Sequence, residues 1–170
     1  WIRRMWPGHI VADMKVADGA IGEVEMARRA GATAVTILGN APTESHDLFI
    51  KRCEDLNMLS MIDLIGVTDP LSVLRPLRKS PDVLVIHRGR DEEGTQGKMI
   101  EYRQVNRIRS KFDALISAAG GVDLREARSA IFNGASIVVA NIVNPADGWT
   151  GIKTTDDITA IAQKFLETIS

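Results

Sequence analysis

Six short runs rich in Val, Ile and Ala recur along the chain, and they limit the folds open to it more than any other feature. They are His9–Met14, Ala34–Leu38, Leu59–Ile65, Val83–Ile86, Ala114–Ala118 and Ser136–Ala140. Each is four to seven residues long and mostly apolar, which suits strands buried on both faces. The stretches between them carry helical spacing. One includes Glu23, Ala27 and Ala30 and stops at Gly31; another covers Thr43 to Leu56. The segment after Asp69 holds Pro70 and Pro76, which predicts an interrupted helix. Asp123 is placed to cap a helix ending at Asn133-Gly134, and Thr155 to cap the last, with Asp156 and Asp157 favouring its first turn. The strand starts fall roughly 20 to 30 residues apart, the repeat of βα units in parallel α/β folds. The junctions Ala30-Gly31-Ala32-Thr33-Ala34-Val35 and Asn133-Gly134-Ala135-Ser136-Ile137-Val138 even look alike. With 170 residues and no low-complexity linker, the expectation is one α/β domain over residues 1–170. Before it, Trp1–Trp6 reads as the end of a helix broken at Pro7-Gly8, so part of the domain is expected to be missing or processed.

Charge and cysteine content exclude several functions. Lys and Arg number 21 against 22 acids, a net charge of -1, which argues against a basic nucleic-acid face. No apolar run approaches the about 18 residues of a membrane span. The single Cys53 allows neither an internal disulfide framework nor a multi-cysteine zinc site. A soluble cytoplasmic protein is the expectation.

Ionisable residues at strand ends are the candidate chemistry. Asp13 and Lys15 lie two apart at the end of the first run, so alternation puts both on one face; Asp18 follows in the turn. Asp63 lies inside the third run, His87 ends the fourth with Arg88, Arg90 and Asp91 directly after it, and Gly120-Gly121 ends the fifth. An isolated charge in an apolar strand is costly, so such groups pair, bind metal or neutralise. Several at the C-terminal ends of different strands suit a barrel, where those ends carry the catalytic groups. Each also has a structural reading. Asp13–Lys15 reads equally as an ion pair and Asp18 as a helix cap. His87 alone fits a core or loop histidine, and Arg88 a solvated side chain. Glu92 and Glu93 read as the start of a helix, and Trp149, in the 144–154 loop, as a plain surface residue against a lid or interface residue.

Taken together, Asp13-x-Lys15-x-x-Asp18 with Glu23–Ala27, Val35–Gly39, Asp63–Val67, His87–Asp91 and Ser117–Gly121 resemble the orotidine monophosphate decarboxylase suprafamily. The resemblance is greatest to its 3-hexulose-6-phosphate synthases and 3-keto-L-gulonate-6-phosphate decarboxylases, and it runs from Ile10 to the C-terminus. It implies a (βα)8 TIM barrel of the ribulose-phosphate-binding type that dimerises with shared active sites. The six strands would be strands three to eight, the first two being missing from this chain along with their catalytic acid and magnesium-ligand glutamate. Three explanations stay open: a lost segment, a partner chain supplying it, or a degenerate site.

By that resemblance Asp13 would ligate Mg2+ and Lys15 would stabilise an enediolate oxygen. Asp18 would reach the neighbouring subunit's site, Asp63 would orient a substrate hydroxyl or Lys15, and His87 would move the proton at the substrate carbon. Backbone N–H groups at Gly120 and Gly121 would hold the phosphate. After the last strand the family has Gly-Arg for the phosphate, where this chain has Ala140-Asn141; Asn141 can offer only a neutral hydrogen bond. Asp63–Val67 and Ala119 are similar to the synthase, whereas Arg90 matches the arginine that helps deliver a proton in the decarboxylase. The implied activity is condensation of ribulose 5-phosphate with formaldehyde, or its reverse. Decarboxylation of 3-keto-L-gulonate 6-phosphate, or of another substrate by an enzyme like orotidine monophosphate decarboxylase, is the alternative, and a non-catalytic, truncated barrel that binds a ligand or partner a further one. The resemblance also allows the chain to be the synthase part of a fusion with a formaldehyde-activating domain.

Overall fold

The computed structural model describes residues 1–93, 95 and 99–169. Strands and helices alternate along it: α1 (Ile2–Met5), β1 (Val11–Val16), α2 (Ala20–Arg29), β2 (Ala34–Leu38), α3 (Thr43–Asp55), β3 (Leu59–Asp63) and α4 (Pro70–Leu74). There follow β4 (Val83–His87), a 3-10 turn at Arg90–Glu92, α5 (Arg103–Arg109), β5 (Leu115–Ala119), α6 (Leu124–Phe132) and β6 (Ile137–Val138). Two further strands of two residues each, β7 (Ile142–Val143) and β8 (Ile152–Lys153), precede α7 (Ile158–Ile169). The first six strands form a sheet in sequence order, and β7 pairs with β8 in a second, small one. The pairs β1–β2, β2–β3 and β5–β6 are parallel. Parallel α/β architecture is therefore what the six apolar runs specified. By its internal contacts the chain divides into two compact units, Trp1–Leu84 with Lys111–Ala114, and Val85–Ser110 with Leu115–Ser170. No helix among the described residues is long and apolar enough to cross a membrane.

In the first unit the core is built from strand residues that face away from water on both sides. Val35 and Ile37 of β2 and Ile62 of β3 are fully buried, with Phe49 and Cys53 of α3 packed on them from the helical layer. Each such side chain contributes about 1.5–3 kcal/mol by leaving water. Burial also pushes the Cys53 thiol up to about 12, with the Asp82 carboxylate adding to the shift, which leaves it a packing group. The third apolar run ends two residues early, because the Asp63 carboxylate accepts the Ile65 N–H at 3.0 Å and turns the chain out of the strand. Pro70 opens α4 directly after Asp69, and the helix stops after five residues, as its prolines predicted.

The second unit reuses the same local devices. The two look-alike junctions are structurally equivalent: Ala32 N donates to Ala27 O and Ala135 N to Ala130 O, both at 3.0 Å. In each, the next residue but one from the glycine then enters the sheet, Thr33 N bonding Ile10 O and Ser136 N bonding Ile116 O. Asp123 caps α6 by accepting Glu126 N at 2.7 Å, a bond whose loss costs about 1 kcal/mol. At α7 the cap is Asp157, which accepts Ala160 N at 3.0 Å, rather than Thr155. The helix expected to start at Glu92-Glu93 is only the 3-10 turn; α5 begins at Arg103. Glu92 instead accepts Gly89 N at 2.9 Å and Glu93 accepts Thr150 N at 3.1 Å, so both carboxylates tie down loop backbone.

Candidate active site

In the first unit Lys15 is clamped between two carboxylates. Its Nζ lies 2.8 Å from both oxygens of Asp13 and 3.1 Å from Oδ2 of Asp63. The Asp63 side chain is 3% exposed and that of Asp13 61%, so the ammonium spans from the interior to the surface. Burial alone would lower the Lys15 pKa. The hydrogen bonds from Asp13 and Asp63, with their charges, outweigh it and hold the ammonium above its ordinary value. The group stays protonated at neutral pH and suits a role as a fixed cation. Removing it would leave Asp63, 3% exposed, buried without this partner.

Simple alternation does not bring Asp13 and Lys15 together. Both sit inside β1, which runs on to Val16, and the strand is bulged between them. Ala12 pairs with Val35 and Val16 with Ile37, so Asp13, Met14 and Lys15 all stand opposite Thr36. Lys15 takes a left-handed backbone with φ of 48°, which costs a non-glycine residue about 1–2 kcal/mol. Thr36, which is buried, accepts Lys15 N at 3.0 Å and donates to Asp13 Oδ1 at 2.9 Å. Sequence reasoning passed over this residue, although a hydroxyl in the otherwise apolar Ala34–Leu38 run was its signal. Asp18 is exposed and accepts Gly19 N at 2.8 Å. It does not cap α2 with its side chain, so the capping alternative for this residue falls away.

The other expected residues belong to the second unit. His87 ends β4 and is half-buried. Arg88 is not the solvated side chain expected of it: its backbone N donates to Ala119 O at 3.1 Å, and its Nη2 donates to the carbonyls of Gly120 and Gly121 at 3.0 and 3.3 Å. Gly120 has φ of 100°, and a β-carbon there would collide with the Arg88 carbonyl oxygen. The guanidinium thus fastens the Gly120–Gly121 turn. Arg90 lies over the Trp149 ring, 3.8 Å from its centroid, which makes Trp149 a cation–π partner instead of a plain loop residue. Lys153 Nζ donates to Trp149 O at 3.2 Å. Ala140 and Asn141 lie between β6 and β7, both half-buried, and Asn141 O accepts Ile152 N at 2.8 Å.

For a divalent metal, the described residues contain no group of three or more His, Cys, Asp or Glu that could hold one. A magnesium ion bound together with its substrate takes only one or two carboxylates and fills its shell with water and substrate oxygens. The exposed Asp13 fits that smaller demand.

Comparison with known proteins points the same way as these residues. A bifunctional enzyme Fae/Hps of Methanothrix thermoacetophila is 32% identical over 166 residues, which is 97% of this chain and 40% of that protein. The chain thus spans about two fifths of the length of that relative. A crystal structure of 3-hexulose-6-phosphate synthase superposes with a TM-score of 0.79 at 26% identity, covering 99% of this chain and 78% of that one. The fold is shared as well by KGPDC from Streptococcus mutans, with a TM-score of 0.71 at 21% identity over 99% of this chain and 75% of that one. These neighbours give the six-stranded α/β sheet its place among TIM-barrel proteins. The sequence from residue 3 to residue 141 matches one family throughout, and that stretch carries the clamped lysine, the Gly120–Gly121 turn and every strand of the larger sheet: the chain belongs to the orotidine 5'-phosphate decarboxylase / HUMPS family.

Proposed function

We propose that the chain is an aldolase-type carbon–carbon lyase that condenses ribulose 5-phosphate with formaldehyde to 3-hexulose 6-phosphate, or runs the reverse cleavage. The observation that carries this reading is Lys15, a cation fixed between Asp13 and Asp63 where charge would develop on an enediolate oxygen. A preorganised cation of this kind stabilises an oxyanion without reorganising during the reaction. In the forward direction a proton leaves C1 of ribulose 5-phosphate and an enediolate forms. Its C1 then bonds the formaldehyde carbon, and the formaldehyde oxygen takes up a proton. Lys15 stabilises the enediolate, Asp63 orients Lys15 or a substrate hydroxyl, and His87 moves the C1 proton as a general acid–base. Backbone N–H groups of Gly120 and Gly121 hold the phosphate, with Asn141 beside Ala140 as a neutral donor in place of the family's arginine. Asp13 would hold Mg2+, which supplies a Lewis acid for the enediolate oxygens. Assembly as a homodimer, with Asp18 reaching the partner's site, and a cytoplasmic location belong to the same reading.

Arg90 favours a second reading, decarboxylation of 3-keto-L-gulonate 6-phosphate, in which the guanidinium helps protonate the enediolate. Proton NMR of ribulose 5-phosphate in D2O with the protein and Mg2+, before and after formaldehyde is added, separates the two. Deuterium entering C1 followed by hexulose phosphate supports the synthase. Exchange without condensation moves the reading to the decarboxylase. Neither, from a folded sample, overturns the enzymatic reading and leaves a barrel that binds a ligand or partner.

A further inference from the structure

The hydroxyl of Thr36 closes a ring of hydrogen bonds around the lysine. Lys15 N donates to Thr36 Oγ1, Thr36 Oγ1 donates to Asp13 Oδ1, and Lys15 Nζ donates back to both oxygens of Asp13. One hydroxyl therefore holds the Lys15 backbone and, through Asp13, the Lys15 ammonium. Its single proton and one of its lone pairs are both used, so it is oriented without a water molecule.

The ring answers two needs that β1 creates for itself. In a regular parallel ladder the Lys15 N–H would bond a carbonyl of the neighbouring strand. The bulge removes that partner, since the register passes from Ala12–Val35 straight to Val16–Ile37. A side-chain hydroxyl takes its place and fixes the left-handed residue that aims the lysine. Asp13 has the opposite problem. Its carboxylate is 61% exposed and free to turn toward water, and the Thr36 hydroxyl, 4% exposed as a residue, is the buried stake that stops it. Being β-branched, Thr36 has few rotamers, so the stake is stiff.

We infer that Thr36 is a positioning residue for the reaction: it sets where the Lys15 ammonium and the Asp13 carboxylate stand relative to the enediolate without itself touching substrate. The inference rests on the function proposed above, and it fails differently from it. In Thr36→Val the shape is kept and both hydrogen bonds are lost. The kcat for C1 exchange on ribulose 5-phosphate then falls by about tenfold to a hundredfold, the scale of a misplaced catalytic group. KM changes far less, because the phosphate contacts are elsewhere in the chain. Thr36→Ser, which restores the hydroxyl, recovers most of the rate.

A second readout needs no activity. The 15Nζ resonance of Lys15, assigned by its loss in Lys15→Arg, moves toward that of a free lysine in Thr36→Val and returns in Thr36→Ser. Wild-type kcat and an unmoved resonance in Thr36→Val would overturn the inference. So would Thr36→Ser as impaired as Thr36→Val, which would make the residue a packing element only. If the wild-type protein exchanges nothing, the proposed function falls while the Lys15 resonance still decides the role of Thr36. Should Thr36→Val not fold, Thr36→Ala, which leaves room for a water in place of the hydroxyl, is read by the same resonance.

Discussion

Around Lys15 the ammonium meets two carboxylates and the backbone N–H a hydroxyl, all from strands, and the backbone bends to allow it. Around the Gly120–Gly121 turn the order is reversed: the backbone takes the unusual conformation through glycine, and the cations serve the loops. Arg88 is engaged with the two glycine carbonyls, and Arg90 lies on Trp149. The first neighbourhood holds a fixed cation between carboxylates. The second holds shaped backbone, with Arg88 committed to fastening it. Ionisable residues at strand ends therefore do not carry one meaning in this chain, although in the sequence they look alike.

The contrast is most open to attack at Lys15. Lys15→Met should lower the rate of C1 exchange on ribulose 5-phosphate by about 10³-fold, the upper range for losing one oxyanion-stabilising group. Retained exchange would place the chemistry outside the carboxylate clamp. Next in size is Gly120→Ala. A left-handed φ and a collision with the Arg88 carbonyl should together cost about 3 kcal/mol, measured by urea unfolding. An unchanged midpoint would show that the turn is not fastened as described.

A pH test sharpens the first region. The folded-state pKa of Lys15 is raised above its ordinary 10.5, so its ion pairs stabilise the fold fully below that value and are lost as pH rises through the folded pKa. Cys53 and Tyr102 also lose stability on the alkaline side, since burial first, helped by a neighbouring carboxylate, raises both pKa values and keeps both groups neutral in the fold. The urea midpoint of the wild-type protein should therefore begin to fall near pH 9, and above about pH 10.5 it should fall by more than that of Lys15→Met. Parallel curves would mean that the clamp adds nothing to stability. The smallest effect is expected at Trp149→Ala, which should cost about 0.5–1 kcal/mol, the range for an exposed cation–π contact. In the D2O experiment this variant should leave condensation unchanged and raise any exchange that depends on a released Arg90. A loss of condensation instead would give Trp149 a part in the main reaction.

The sheet was legible in the sequence because buried parallel strands leave a plain mark. The four residues Ala34–Ile37 are all buried, and so are Val83–Ile86. Boundaries were less legible wherever a side chain, and not hydrophobicity, ended an element. Asp63 turns the chain at Ile65, and Asp157 takes the cap expected of Thr155. The pair β7–β8 escaped notice since two residues show no period. Asp13, Lys15 and Asp63 were found as a set, by their charge in apolar surroundings. Thr36 and Arg88 were missed for the opposite reasons. A threonine is unremarked in a strand, and an arginine beside other charges looks solvated until its guanidinium is seen on the Gly120–Gly121 turn.

The bulge in β1 has a bearing on how this chain can change over time. A point substitution at residues 13–15 alters the chemistry at an address that stays put. Losing one residue from the same stretch does something else, because the three residues opposite Thr36 set the step from Ala12 to Val16. Val16, the last residue of the strand at 4% exposure, would be drawn off its place opposite Ile37. The spacing of Asp13, Lys15 and Asp18 is thus guarded against deletions by the packing of the strand itself, independently of any selection on the reaction.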